Sequence, residues 1–174
     1  MNVGGALSKS ILKSDCALRS IQKKDEALML GMRNQECVRR QMISSNVISK
    51  GQHKKWFSEM LSDPSKQYFV FYYKSDPVGI IGFFDVNEQF ANWSFYLGDH
   101  NLPKGLGTIM CSLGLEYIFE NISVRYIETQ IKIENLPSQK IHLKLGFIRS
   151  SDKSNNNFIF RLMRENWSQN SIKK

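Results

Sequence analysis

Cysteine, histidine and long apolar runs are scarce in this sequence, and each scarcity excludes a class of protein. Three cysteines, Cys16, Cys37 and Cys111, lie far apart with no Cys-x-x-Cys pair. That rules against a disulfide framework or a zinc knuckle. Three well-separated histidines add no ligand cluster, so no metal is expected. No apolar run approaches the length of a membrane span; Val78 to Phe84 is only strand length. The N-terminus lacks the charged start and sustained apolar core of a signal peptide. There is no internal repeat, arginine-rich tail or basic helical stripe, so neither a nucleic-acid nor a membrane partner is expected. A reducing cytoplasm fits these absences best.

What is present is an ordinary globular composition with a basic excess. The 174 residues are 41% hydrophobic and 23% charged, enough for one domain with a real core. The net charge of +8 suits an anionic partner, and a phosphate-rich small molecule meets that as well as a polymer does.

One stretch organises the rest. Ala91 to Leu97 is aromatic-rich and bounded by Asn92 and Gly98-Asp99, which predicts a strand. Leu106 to Phe119 carries Leu106, Ile109/Met110, Leu113 and Tyr117 at helical spacing, which predicts a helix. Between them stands Lys104-Gly105-Leu106-Gly107-Thr108. Two glycines at a helix start let backbone N–H groups converge where the helix dipole also favours an anion. Such a turn is either a diphosphate cradle or simply a tight turn eased by glycine.

Around this stretch the chain reads in order as follows. An arm without clear periodicity leads to a first strand over Leu18–Ile21, and a helix from Lys24 breaks near Gly31-Met-Arg-Asn34. A short ambiguous segment covers Cys37–Met42, and Ser49 with Gln52 forms a capping box for the next helix. Tyr68–Tyr73 and Val78–Val86 make a hairpin, and Val124–Lys132 a strand. Asn135 caps a further helix with Pro137 in its first turn and Gly146 at its end. Phe147-Ile148 and Asn157–Met163 close the chain as a hairpin before a polar tail. The strand–helix–strand unit should form a right-handed parallel crossover, placing the glycine turn at the mouth of a crevice.

Two spaced motifs, in order, resemble the GNAT superfamily of N-acetyltransferases. Lys104-Gly-Leu-Gly-Thr108 is similar to its acetyl-CoA pyrophosphate loop, and Asn135-Leu-Pro-Ser-Gln-Lys-Ile-His-Leu-Lys-Leu-Gly-Phe147 to its Asn-x-x-Ser/Ala…Tyr-x-x-x-Gly-Phe ending. The resemblance implies an α/β GNAT fold: a mixed, mostly antiparallel twisted sheet whose central parallel pair splays to bind acetyl-CoA, flanked by helices. It divides the chain into a loosely ordered arm (1–16), an acetyltransferase domain (17–164) and a polar tail (165–174). Acetyl-CoA is the implied cosubstrate, without a metal. Phe95, Tyr96 and Leu97 would pair with its pantetheine arm; Lys104, Gly105, Leu106, Gly107 and Thr108 would hold the pyrophosphate, with Asn135 and Ser138 beside them.

Two departures stand out. Leu102 replaces the arginine or glutamine that usually opens the loop, and His142 takes the place of the tyrosine that usually protonates the leaving thiolate. His142 is therefore the expected catalytic residue, or a helix histidine that merely packs; Tyr96 and Tyr126 are alternative hydroxyl donors. Met32-Arg-Asn34, Arg39…Met42, Ile48…His53, Trp56-Phe57, Lys66-Gln-Tyr-Phe69 and Val78–Phe84 further resemble the branch that acetylates a UDP-linked 4-amino-4,6-dideoxy sugar in pseudaminic acid biosynthesis for flagellin glycosylation. That branch implies a nucleotide-sugar acceptor met by Arg33, His53, Trp56 and Asp85, with Asp85 or Glu88 taking the amine proton. Acetylation of a ribosomal-protein N-terminus and non-catalytic binding of acyl-CoA or another anion are the alternatives. The oligomeric state stays open, a homodimer among the options.

Overall fold

The computed structural model describes residues 11–98, 101–154 and 156–171. Among these, β1 (Cys16–Ser20), β2 (Gln67–Tyr73), β3 (Asp76–Phe84), β4 (Phe90–Leu97), β5 (Tyr126–Lys132), β6 (Ile148–Ser154) and β7 (Asn157–Met163) form one sheet in the order β1-β2-β3-β4-β5-β7-β6. Every neighbouring pair is antiparallel except β4–β5, which is parallel. The helices are α1 (Glu26–Asn34), α2 (Glu36–Gln41), α3 (Lys50–Ser62), α4 (Leu106–Asn121), α5 (Leu136–Lys144) and α6 (Arg164–Ser171). This is the mixed α/β architecture expected, with the parallel pair at its centre.

Period-two alternation divides the apolar side chains between two cores. Phe69, Phe71, Ile81, Phe83 and Trp93 pack with Met110, Leu115 and Ile118 of α4. The alternate residues Val70 and Ile80 pack with Met29 and Met32 of α1 and Phe57 and Met60 of α3. On β4, Trp93, Phe95 and Leu97 thus belong to the α4 core, whereas Tyr96 joins the α1–α3 core.

Local chemistry fixes the helices that frame the site. The Gln52 backbone N–H donates to Ser49 Oγ at 3.3 Å, and Gln52 Oε1 accepts from the Ser49 N–H at 3.0 Å. That is the capping box anticipated for α3. Arg19 grips Asp25 through two bonds of 2.8 and 2.9 Å, setting where α1 begins. The loop between α2 and α3 is pinned by its backbone. Asn34 Nδ2 donates to Ile48 O at 2.8 Å, Asn34 Oδ1 accepts from the Ile48 N–H at 2.9 Å, and Arg39 Nη1 donates to Ser45 O at 2.8 Å.

The first helix runs through Gly31 and ends at Asn34, within the expected break, where Gln35 turns to ψ 135°, while other boundaries differ from expectation. Gly31 is an exposed position on a continuous helix, where glycine's intrinsic cost is only about 1 kcal/mol. Strand β3 ends at Phe84, because Asp85 adopts φ 55° and cannot continue it. The residues read as a polar tail include α6, whose Trp167 is buried against Phe119; one aromatic supplied the anchor that the polar composition hid. Much of the N-terminal arm (1–10) lies outside the described residues.

Gly82 faces Tyr68 across the β2–β3 ladder, and a Cβ there would overlap the Tyr68 ring. Replacing Gly82 with Ala should destabilise the protein by about 1–3 kcal/mol. Calorimetry should then record a melting temperature lower by roughly 2–4 °C for each kcal/mol lost.

Candidate active site

The parallel pair stops pairing early. Phe90, Ala91 and Asn92 face Tyr126, Ile127 and Glu128, and beyond Asn92–Glu128 the strands part although both continue. A side chain spans the start of the gap, Thr129 Oγ1 donating to Trp93 O at 3.1 Å. Above the gap, α4 opens at Gly105, whose φ of 102° is the left-handed conformation glycine adopts without strain. No side chain caps α4, so its first N–H groups face outward with the helix dipole behind them.

A cleft of about 450 Å³ runs from this helix start along β4 and α5, lined among others by Phe95, Leu97, Lys104, Gly105, Gly107 and Ser138. Tyr96 and Asn135 also border it. Leu106 turns its side chain into the core at 0% exposure, and Thr108 is half-buried outside the lining. Asn135 Oδ1 accepts from the Ser138 N–H at 3.1 Å and caps α5, as its position in the sequence suggested.

His142 lies 1% exposed beneath the gap, among Trp93, Phe95, Phe147 and Phe160. Both ring nitrogens are engaged. The Trp93 indole N–H donates to Nε2 at 3.2 Å, and Nδ1 donates to Ser138 O at 2.8 Å. These contacts fix the neutral Nδ1–H tautomer. Burial is the dominant influence and pushes the pKa down to about 4, against a smaller upward pull from the Ser138 carbonyl. The expectation of a proton-donating His142 therefore meets a neutral ring with no nitrogen to spare. Aromatic packing and the Trp93 bond make it a wedge between β4 and α5.

Two further cavities adjoin the cleft. The central one, of about 450 Å³, reaches His142 and lies over the parted strands between Ser94, Thr129 and Ile131. A second of about 300 Å³ is walled by Arg33, His53, Trp56, Tyr68 and Tyr96. Arg33, Met42 and Ser94 border both. Arg33 Nη2 donates to Ser44 O at 2.7 Å, but Nη1 is buried without a partner, and burial lowers the guanidinium pKa. His53 is 2% exposed with neither ring nitrogen bonded. Trp56 stands edge-on to Tyr68 with centroids 5.7 Å apart. Burial pushes the Tyr68 phenol up to about 12 and raises Tyr96 further, so both are neutral. Three of the four expected acceptor residues are thus brought together.

Asp85 is the exception. It is exposed at the end of β3, outside the lining of these cavities, and its carboxylate accepts from Asn92 Nδ2 at 2.9 Å. Placing Asp85 against the acceptor is corrected accordingly: β3 stops one residue too early, and Asp85 steadies Asn92, which does line the central cavity. Tyr126 stacks on Phe90 instead of facing the cleft. Sequence reasoning missed Ser94 and Tyr68 as lining residues. The signals were a single small polar residue in an aromatic strand and a glycine, Gly82, directly opposite a tyrosine.

The family profile described as Acetyltransferase (GNAT) domain matches residues 16–148. The chain belongs to the GNAT acetyltransferases. Acetyltransferase PseH of Campylobacter jejuni is 25% identical over 114 residues, covering 65% of this chain and 71% of the relative. The crystal structure of that protein superposes with a TM-score of 0.67 at 18% identity, covering 86% of this chain and 98% of the other. Spermidine N-acetyltransferase of Vibrio cholerae, crystallised with CoA and spermine, gives a TM-score of 0.78 at 14% identity, covering 89% and 99%. Aminoglycoside acetyltransferase AAC(6')-Ib with coenzyme A gives 0.77 at 16%, covering 90% and 99%.

This GNAT chain is an acetyl-CoA-dependent N-acetyltransferase, and its cleft fits that cosubstrate. A Cβ at Gly107 would come within 3.2 Å of Ile141, so the absence of a side chain keeps the helix start close to α5 and open. No group of three or more metal-ligating side chains occurs among the described residues.

A neutral buried His142 ties stability to pH. Its folded pKa lies below the free value of 6.5, so the unfolded chain binds the proton first as pH falls. The contribution is fully present above pH 6.5 and is lost toward about pH 4, by roughly 3 kcal/mol. Urea unfolding at pH 7 and pH 5 should show a steeper loss for the native chain than for His142→Gln; equal losses would mean that the ring titrates freely.

Proposed function

We propose that this acetyltransferase acts on the amino group of an anionic, nucleotide-linked amino sugar, the 4-amino group of a UDP-linked 4-amino-4,6-dideoxy sugar in pseudaminic acid biosynthesis. One observation carries the reading. Among the described residues lining the central and acceptor cavities there is a guanidinium with a buried unpartnered Nη1, from Arg33, and no carboxylate. Polyamines and aminoglycosides carry several positive charges and call for acidic walls. A diphosphate calls for what Arg33 offers, since a guanidinium fork pairs phosphate oxygens. The flat faces of Trp56 and the two tyrosines suit a nucleobase or sugar ring, and PseH of C. jejuni is among the relatives.

In this reading the groups divide the work as follows. The N–H groups of Gly105 to Thr108 and the Lys104 ammonium hold the pyrophosphate at the α4 start. The parted edge of β4 at Phe95–Leu97 takes the pantetheine arm as an added strand. Asn135 and Ser138 border both the cleft and the central cavity, keeping the two ends of the reaction in register. Acetyl-CoA supplies the activated acyl group. The product serves flagellin glycosylation in the cytoplasm.

Thiol release from acetyl-CoA should be measured with the UDP-linked amino sugar, spermidine, kanamycin and an alanine-starting peptide. Turnover confined to the sugar is expected; turnover confined to the peptide would transfer the enzyme to the ribosomal branch. Arg33→Met should raise the acceptor KM about tenfold or more while kcat changes little. Lys104→Glu should weaken acetyl-CoA binding by roughly tenfold in calorimetry with the melting temperature unchanged, and an unaltered Kd would remove Lys104 from the pyrophosphate site.

A further inference from the structure

An aliphatic amine reaches the enzyme as an ammonium ion and must lose a proton before its nitrogen can attack. Other titratable residues near the cavities are unsuited to that task. Asp85 is bonded to Asn92 outside the cavities, and Glu88 is an exposed turn residue. Glu128, on β5, is held by Arg161 at 2.6 Å. His142 has both nitrogens engaged. Tyr68 and Tyr96 are protonated phenols, which donate rather than accept.

His53 has the properties the step requires. It projects from the second turn of α3, whose start is fixed by the Ser49–Gln52 capping box, and it lines the acceptor cavity. The ring is 2% exposed between Trp56 and Phe57, each with centroids 5.6 Å away, and neither nitrogen has a partner. Buried polar groups rarely go unbonded in a folded protein. An imidazole kept bare at the wall of a cavity is one left for a ligand.

We propose that His53 takes the proton from the acceptor amine. This rests on the chain's N-acetyltransferase activity and on the acceptor occupying the cavity beside Arg33. The ammonium N–H bond breaks, and its proton passes to the unprotonated ring nitrogen, directly or through one water at Ser94, which borders both cavities. The freed nitrogen bonds to the acetyl carbonyl carbon, and the carbon–sulfur bond breaks with its electron pair going to sulfur. Proton balance closes when a solvent proton completes the thiol and the imidazolium returns its own to solvent.

The charges around the ring suit this cycle. Burial lowers the His53 pKa, and Glu26 on α1 pulls it upward less strongly. Arg33, also on α1, carries a positive charge on the same cavity wall, while Tyr68 on β2 and Tyr96 on β4 are neutral. The resting imidazole is therefore neutral at pH 7 with its lone pair available, and the proton it gains is shed readily.

The test pairs His53→Gln, which keeps hydrogen-bonding atoms but cannot carry the proton, with nitrogen-15 NMR of the native ring. Without any substrate, the His53 ring should be neutral at pH 7 and titrate below 6.5; a ring protonated at pH 7 overturns the proposal. Acetyl transfer is then followed from pH 6 to 10 with whichever acceptor of the panel above the native enzyme turns over. At pH 7 the variant should lose roughly 100-fold in kcat, and the gap should close as pH rises and the amine deprotonates by itself. Acetyl-CoA affinity and melting temperature should stay at native values. A variant as fast as the native enzyme, or slowed equally at every pH, overturns the proposal. The native acceptor preference reports on the nucleotide-sugar reading, and the variant-to-native ratio across pH reports on His53, so the two fail separately.

Discussion

The end of pairing between β4 and β5 is the constraint on which the rest depends. Three residue pairs hold the parallel strands together, and after Asn92–Glu128 they diverge. Trp93 is 1% exposed and stacks on Phe147 at 5.2 Å and Phe83 at 6.0 Å, while its indole N–H is bonded to His142. This bulky aromatic group, anchored from α5 and β3, forms a wedge beneath the point where the ladder stops. Close packing makes such a wedge rigid, and the gap above it is the cleft.

The same strand then serves two partners by simple alternation. Phe95 and Leu97 reach the α4 core and the cofactor cleft, while Ser94 and Tyr96 reach the cavity between α1 and α3. The cleft and the cavity beside Arg33 thus meet at one stretch of backbone. The nearest polar walls differ accordingly: a helix start and an ammonium on one side, a guanidinium and a bare imidazole on the other. Proximity of this kind, set by strand geometry, does much of what a transferase needs.

Much of the frame was legible because its signals are local. The Ser49–Gln52 capping box, the Asn135 cap and the Lys104–Thr108 turn each declare themselves within a few residues, and the structure has each in place. The acceptor cavity was legible only in part. Arg33, His53 and Trp56 converge as expected, but Tyr68 and Ser94 enter through the β2–β3–β4 register, which no window of sequence contains. His142 shows the deeper difficulty. Its motif position suggested an acid, and its chemistry is decided by Trp93, forty-nine residues earlier. The helix at the C-terminus escaped notice because a single tryptophan outweighs the polar residues around it.

The loop between α2 and α3 is clamped almost wholly through main-chain atoms, at Ser44, Ser45 and Ile48, by side chains that belong to the helices. Its own residues Ile43 and Val47 stand 60% and 64% exposed, and Met42, Ile43 and Ser44 form part of the central cavity wall. A segment held by its carbonyls is indifferent to the side chains it carries. Exposed side chains of this loop, Ile43 among them, can therefore be exchanged at little cost to folding while the wall of the central cavity changes its chemistry.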